Sequence, residues 1–240
     1  MNGKHGQVSS SPPLDTDEGS RLPDGQINSY DDKGRLLSAA EFKKGKLDGR
    51  MLVYNENGQA VQHSRFGEDR LNGLSVFYDD RGLLIMKANF LCGRLHGLMT
   101  VYEEGQIQAQ FNYVNGIREG QAVHYNLKTG RPSGIEHYRN GKPDGKALWY
   151  DEEGNLLSEA MFKEGKMEGE KRDYYKSGQI MQQTFYVAGK PHGTAIGYFE
   201  NGYVREKKEF RDGKQVGDTL QFNKNWKKKK EDIFVEFSGK

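Results

Sequence analysis

The sequence has little of what a thick hydrophobic core requires. Only 34% of its 240 residues are hydrophobic, whereas 29% are charged, and the mean hydropathy is −0.91. No apolar run approaches the roughly 20 residues with which a helix spans a bilayer. We therefore exclude a membrane protein built of apolar helices and expect a soluble chain with a thin core.

Net charge and cysteine are scarce as well. The 36 Lys and Arg residues nearly balance the 34 Asp and Glu residues, so the formal net charge is only +2. This balance does not favour nucleic acid or an anionic membrane as a partner. Cys92 is the only cysteine, which excludes a disulfide within the chain and a zinc site built on cysteines.

Glycine and aromatic residues recur with a period of about 24 residues, and this repeat organises residues 23–222. The first glycine of each of the eight repeats lies near residues 25, 49, 73, 97, 120, 145, 169 and 193. Five residues later comes a first aromatic column, formed by Tyr30, Tyr54, Tyr78, Tyr102, Tyr125, Tyr150, Tyr174 and Tyr198. A turn glycine follows, and eight residues beyond it lies a second aromatic column, formed by Phe42, Phe66, Phe90, Tyr113, Tyr138, Phe162, Tyr186 and Phe210.

Each repeat is typical of a β-hairpin. A short strand ends at the first aromatic, a turn such as DEEG follows, a longer strand ends near the second aromatic, and a loop such as KEGKMEG closes the unit. An acidic turn that ends in glycine suits a hairpin with a bulge, because glycine adopts φ > 0 without steric cost. A single hairpin is marginal in water, so we predict an all-β stack of hairpins that lean on one another.

The two ends and one internal strand depart from this pattern. Residues 1–22 are polar and rich in Ser and Pro, without the apolar stretch of a signal peptide, and we predict a flexible lead. Residues 223–240 contain the basic run Lys227–Lys230 and are predicted to cap the last strand. Pro132 and Gly134 are expected to weaken the second strand of the fifth repeat, because proline cannot donate to a ladder.

Strand alternation predicts that both aromatic columns share one face of the sheet. The opposite face then carries an apolar strip in the middle of the array. We predict that this strip binds a partner, because aromatic anchors contribute much of the energy of an interface. Cover by curvature or by a second copy is the alternative. The predicted binding residues are Val53, Phe77, Ile85, Val101, Ile135, Trp149, Leu157 and Met161.

No constellation of catalytic residues is present. The sequence lacks HExxH, and the nearest histidine pair across a hairpin, His124 with His137, has no third ligand. Acidic pairs such as Asp151 with Glu152 fall in solvated turns, whereas general acid–base catalysis needs a buried or paired group. We therefore expect no enzyme activity, no cofactor and no metal site.

The segment YDEEGNLLSEAMFKEGKMEG, residues 150–169, resembles the MORN repeat, in particular the bacterial variant of the YwqK-type antitoxin family. The resemblance covers about residues 25–222. It implies an elongated, twisted, single-layer antiparallel sheet. It also implies a protein-binding module, with related proteins acting as antitoxins or immunity proteins that bind a toxic partner.

The resemblance and the apolar strip together favour a non-catalytic protein that neutralises a cognate bacterial toxin by occluding it. The alternative is a structural scaffold or a tether near a membrane, and self-association is compatible with both. The sequence leaves two locations open: the bacterial cytoplasm if the sequence is complete, and the periplasm or cell envelope if a signal preceded residue 1.

Overall fold

A computed structural model describes residues 24–223, and these residues form one open antiparallel sheet. All of the regular structure among them is β-strand, which confirms the all-β hairpin fold. The predicted lead, residues 1–22, lies outside the described residues. So does the predicted cap, residues 223–240, apart from its first residue.

Twenty strands follow one another along the chain. They are β1 (Gly25–Tyr30), β2 (Leu36–Lys43), β3 (Lys46–Tyr54), β4 (Ala60–Gly67), β5 (Arg70–Leu71), β6 (Gly73–Tyr78), β7 (Leu84–Leu91), β8 (Arg94–Glu103), β9 (Gln106–Val114), β10 (Ile117–Tyr125), β11 (Pro132–Arg139), β12 (Lys142–Pro143), β13 (Gly145–Tyr150), β14 (Leu156–Lys163), β15 (Lys166–Tyr174), β16 (Ile180–Val187), β17 (Lys190–Pro191), β18 (Gly193–Tyr198), β19 (Val204–Arg211) and β20 (Lys214–Gln221).

The sheet is a simple meander in which each strand pairs with the next one along the chain. The two-residue strands β5, β12 and β17 continue as β6, β13 and β18 in the same line, which leaves seventeen positions across the sheet. Among residues 24–223, β1 pairs only with β2, and β20 pairs only with β19. The sheet is therefore open at both ends rather than closed into a barrel.

Two kinds of turn alternate along its two long edges. In most turns of the first kind the leading residue is an Asp or Asn whose side chain caps the turn: Asp31 Oδ1 accepts hydrogen bonds from the backbone N–H groups of Lys33 and Arg35 at 2.9 and 2.8 Å. Glu104-Gly105, on the same edge, is an exception with two residues. The second kind is a two-residue turn, such as Lys44-Gly45, in which both residues have φ > 0. The segment predicted as a loop is thus mostly strand, because β3 begins at Lys46, directly opposite Lys43.

A β-bulge after each first turn changes the predicted assignment of faces. Val53 pairs with Gln62, but the next residue, Tyr54, pairs with Ala60, so one extra residue is present on β4. The same one-residue shift recurs in every repeat, for example at Trp149 and Tyr150. The prediction that both aromatic columns share one face is therefore wrong, because the extra residue reverses the alternation.

The sheet consequently has two distinct faces. We call the face of the first aromatic column, which includes Tyr54 and Tyr174, the tyrosine face. The other face, here called the tryptophan face, carries Trp149 and the second aromatic column. The row between these two groups on the tryptophan face consists largely of small residues, with larger side chains such as Met51, Met99 and Phe111 at intervals.

That row of small residues is the best-buried part of the molecule. Ala88 is 0% exposed, and the cross-strand pair Ala147 and Ala160 is 2% exposed. The rings of Trp149 and Phe162, which flank this pair, meet edge to face with centroids 6.4 Å apart. At this pair, small side chains leave room for the two rings, which close over it from both sides.

The strand that begins at Pro132 forms in full. β11 has eight residues, as β2 and β7 do, and Pro132 is its first residue, a position at which proline is tolerated. Gly134 pairs with His124 on one side and Trp149 on the other. The expected weakening of this strand stays a prediction for hydrogen exchange.

Candidate protein-binding surface

A single line of paired residues crosses the tryptophan face at right angles to the strands. Each member is the residue before a first-column aromatic or its partner on the adjacent strand. The line runs Ser29, Ser38, Val53, Gln62, Phe77, Met86, Val101, Ala109, His124, Gly134, Trp149, Ser158, Asp173, Gln182, Gly197, Glu206 and Gln221. We call it the binding row.

Four of the predicted binding residues, Val53, Phe77, Val101 and Trp149, lie in this row. Each is half-buried, so part of each side chain remains open to a partner. Trp149 contacts Phe162, and Val101 packs against a buried cluster. These side chains therefore serve the local packing of the face as well as its exposed surface.

The other four predicted residues lie elsewhere. Ile85 and Leu157 are the extra residues of two bulges, and each is 41% exposed. Ile135 pairs with Val123 and Leu148, and Met161 pairs with Lys146, which places both on the tyrosine face. The prediction that Ile135 and Met161 share a side with Trp149 is wrong, because the bulge shifts the alternation by one residue.

The binding row changes from apolar to polar beyond Trp149. Asp173 is held by Lys171 Nζ at 2.5 Å and by the hydroxyl of Ser158 at 2.8 Å. Lys208 Nζ lies 3.3 Å from Glu206 Oε2 farther along the same face. A partner seated on the apolar part would therefore find a charged rim at one side of it.

An arginine that the sequence patterns do not single out lies on the tryptophan face, two residues after the Asn115-Gly116 turn. The guanidinium carbon of Arg118 lies 4.1 Å from the ring centroid of Phe111 and 5.4 Å from that of Tyr138. Its Nε donates to the hydroxyl of Tyr113 at 3.2 Å. The equivalent position in the first repeat is Leu47. An arginine in place of an apolar residue at this position of the repeat is the sequence signal that could have identified Arg118.

The tyrosine face shows a different regularity. Several first-column tyrosines contact the residue fifteen positions earlier, on the preceding hairpin. The contacts are Tyr78 with His63, Tyr102 with Lys87, Tyr125 with Gln110, Tyr174 with Glu159 and Tyr198 with Gln183. These contacts join consecutive repeats, and this is a structural role.

The Glu159 contact perturbs two ionisations. Burial would raise the pKa of Glu159, but hydrogen bonds from Lys146 and Tyr174, together with the charge of Arg172, hold it below its usual range. Burial and the carboxylate of Glu159 raise the pKa of Tyr174 to about 12. At neutral pH the pair is therefore a neutral phenol that donates to a charged carboxylate.

One depression in the described part of the surface, lined by Arg50, Leu52, His63, Leu74 and neighbouring residues, is open to solvent. His124 lies on the tryptophan face and His137 on the tyrosine face, so the two do not meet. Within residues 24–223, no group of three or more His, Cys, Asp or Glu side chains is placed to hold a metal ion.

Two segments, residues 143–164 and 167–188, match the family model described as MORN repeat variant. The chain therefore contains MORN-type repeats, and these indicate a binding role carried by the repeats. No curated protein matches the chain. In the part of the chain that the structure describes, no helix has the length and apolar character needed to cross a membrane.

Several solved structures show local similarity. One is a mutant of S. aureus TarM in complex with Fondaparinux, alpha-GlcNAc-glycerol and UDP, with 11% identity and a TM-score of 0.24 over 50% of this chain. Two others are TcdB2-TccC3-Cdc42 and TcdB2-TccC3, each with 13% identity, with TM-scores of 0.20 and 0.18 over 81% and 82% of this chain. The chain spans 19%, 14% and 14% of these three proteins.

Proposed function

We propose that this protein is a non-catalytic antitoxin or immunity protein of the YwqK type, which silences a toxic protein partner by covering it. The binding row carries the proposal. Its large apolar side chains include Val53, Phe77 and Val101, which lie two strands apart from one another, and Trp149, which lies four strands beyond Val101 with His124 between them.

The dimensions of this row suit a protein partner. Eight inter-strand steps of about 4.8 Å separate Val53 from Trp149, a span of about 38 Å. A standard interface buries about 800 Å² on each partner, a patch of similar width. An open surface of this size favours the occlusion of a partner's active site, whereas a small substrate would need an enclosing cavity.

A growth assay tests the proposal. The chain is co-expressed with the product of the neighbouring gene, and restored growth of an otherwise arrested culture is the expected result. The variant Phe77→His with Trp149→His should fail to restore growth. Histidine is chosen because His124 holds the equivalent position in the fifth repeat, so the strands should still form.

The control variant is Leu98→Ala, which removes an exposed apolar side chain from the tyrosine face. It should restore growth as the parent chain does. Circular dichroism would establish that both variants keep their β-structure. Full rescue by the folded double variant would contradict the proposal, and sedimentation with vesicles without rescue would favour the tether near a membrane instead.

A further inference from the structure

The edge of the sheet that carries the two-residue turns is lined by basic side chains. The residue directly after each turn is basic in seven of the eight repeats, and all seven are exposed. They are Lys46, Arg70, Arg94, Lys142, Lys166, Lys190 and Lys214. We call this line, together with the residues paired with it across each turn, the basic edge. Because consecutive turns lie two strands apart, these positions recur about every 10 Å, with Ile117 between Arg94 and Lys142.

Most of these cations have no carboxylate partner. Lys46 lies 3.3 Å from Glu68 Oε2, but within residues 24–223 the other six form no ion pair. The packing of the turns holds their stems in line: a Cβ on Gly213 would lie 3.5 Å from Lys190 Cβ, and one on Gly165 would lie 3.8 Å from Lys142 Cβ. The row is thus ordered at its base, and six of its seven cations form no ion pair within residues 24–223, although Glu68, Glu164 and Asp212 lie in the turns themselves.

Like charges also face each other across several turns. The directly opposed pairs are Lys43 with Lys46, Arg139 with Lys142, Lys163 with Lys166, and Arg211 with Lys214. Directly opposed like charges destabilise a sheet. Lys46 and Arg139 each have a carboxylate partner, Glu68 and Asp144. In the other two pairs, Lys163 with Lys166 and Arg211 with Lys214, neither cation forms an ion pair within residues 24–223, and an anionic ligand would relieve their repulsion.

The middle of the basic edge is apolar. Leu91, Val114 and Ile117 flank two consecutive turns there and are 45%, 46% and 51% exposed. Arg94 lies directly opposite Leu91, and Arg139 with Lys142 follows at the next turn. An apolar centre with charged surroundings is the usual anatomy of a protein interface.

These features favour a polypeptide over a nucleic acid. The field is local, since the net charge of the chain is only +2 and the opposite edge carries acidic turns such as Asp79-Asp80 and Asp151-Glu152-Glu153. Nucleic-acid-binding surfaces add aromatic stacking platforms or a domain-wide positive charge. The residues directly flanking the two-residue turns include no aromatic residue. The second aromatic column begins one residue farther in, on the tryptophan face, where Tyr113 and Tyr138 already contact Arg118.

We propose that the basic edge is a second contact surface and binds an acidic segment of a protein partner, with Leu91, Val114 and Ile117 in contact with its apolar side chains. This inference rests on the proposed protein-binding role and names the chemistry that the partner presents. The partner would then contact two surfaces, the binding row through apolar anchors and the basic edge through carboxylates.

Poly-L-glutamate is the probe for this proposal, and binding to the full chain is measured by fluorescence anisotropy at low salt. We expect binding that weakens as salt is added. The variant Lys142→Glu with Lys166→Glu should bind about tenfold more weakly or worse. The control Lys33→Glu with Lys128→Glu makes the same change of charge on the opposite edge and should bind within about twofold of the parent chain.

Three outcomes would overturn the proposal: no binding of poly-L-glutamate at low salt, equal binding by the two double variants, or tighter binding of duplex DNA or of phosphatidylserine vesicles than of the polypeptide. The variant Phe77→His with Trp149→His separates this test from that of the proposed function. It leaves the basic edge intact and should keep its affinity for poly-L-glutamate even where it fails to restore growth.

Discussion

The hydroxyl of Tyr174 donates a 2.7 Å hydrogen bond to Glu159 Oε1 on the preceding hairpin. Lys146 Nζ lies 2.7 Å from the other carboxylate oxygen, and Arg172 lies 3.2 Å from Oε1. Two consecutive hairpins are thereby joined through one half-buried carboxylate. In a sheet one layer thick, such contacts between neighbouring repeats supply part of the stability that a shared core supplies in a compact domain.

Removal of this hydroxyl should destabilise the protein. Tyr174→Phe leaves the ring in place but takes a hydrogen bond from a charged acceptor, at an expected cost of about 1 kcal/mol in the free energy of unfolding. Tyr150→Phe is the matched control, because the residue fifteen positions before Tyr150 is Ile135 and the Tyr150 hydroxyl has no hydrogen-bond partner in residues 24–223. Urea unfolding should show a clear loss for Tyr174→Phe alone, and equal losses would contradict the assigned role.

Acidification should lower the free energy of unfolding, in part through protonation of Glu159. Its pKa in the folded state is held below the ordinary value of 4.5. The stability that it contributes is therefore present above the pKa of the unfolded chain and is lost as the pH falls through the folded-state pKa. Glu159→Gln should be less stable at pH 7 and should lose less on acidification, as urea unfolding across this range can measure. If the parent chain and Glu159→Gln lost stability in parallel as the pH falls, the assigned role of Glu159 would be contradicted.

The two-residue turns offer a stabilising change. Ala188 adopts φ 49° at the first position of its turn, in the left-handed region that alanine tolerates poorly. Asn140 fills the same position of another turn with φ 50°. Ala188→Asn should raise the free energy of unfolding by about 0.5–1 kcal/mol, and Asn140→Ala should lower it by a similar amount. Thermal unfolding that shows both changes in one direction would refute this explanation.

The row of small residues should not accept a larger side chain. Ala160 is 2% exposed beneath the edge-to-face contact of Trp149 with Phe162. Ala160→Leu should therefore force these rings apart and cost about 1–3 kcal/mol. The neighbouring change Met161→Leu lies on the exposed tyrosine face and should be almost neutral. If Ala160→Leu were tolerated as well as Met161→Leu, the rings would not close over this row.

The fold follows closely from the sequence because glycine and aromatic residues punctuate every hairpin. The assignment of faces does not follow, and the reason is local. The turn chemistry predicts a bulge, but the predicted faces continue the strand alternation through it without a break. That places Phe162 on the same face as Tyr150, whereas in the structure Phe162 shares a face with Trp149. Ala147 and Ala160 were the available signal of the correct faces. Two rings that flank a pair of residues can meet only if the side chains of that pair are small.

The candidate surfaces were predictable only in part. Phe77 and Trp149 stand out as large apolar residues at a repeated position, and the structure places them in one row. The basic edge is hidden in the sequence because its residues fall in a segment that is typical of a loop. Pairing across the two-residue turns, such as that of Lys163 with Lys166, places these cations at the ends of strands along one edge. They therefore form a line.

The distance between the two ends of the sheet tests the central claim, that the repeats form one open layer with both faces accessible. Spin labels at Asn28→Cys and Leu220→Cys, in a Cys92→Ser background, would mark one continuous paired line on the first and last strands. Sixteen inter-strand steps of about 4.8 Å separate these positions along the sheet. The account predicts a separation of several tens of ångströms. Backbones within one strand spacing, about 5 Å, would show a closed barrel and contradict it.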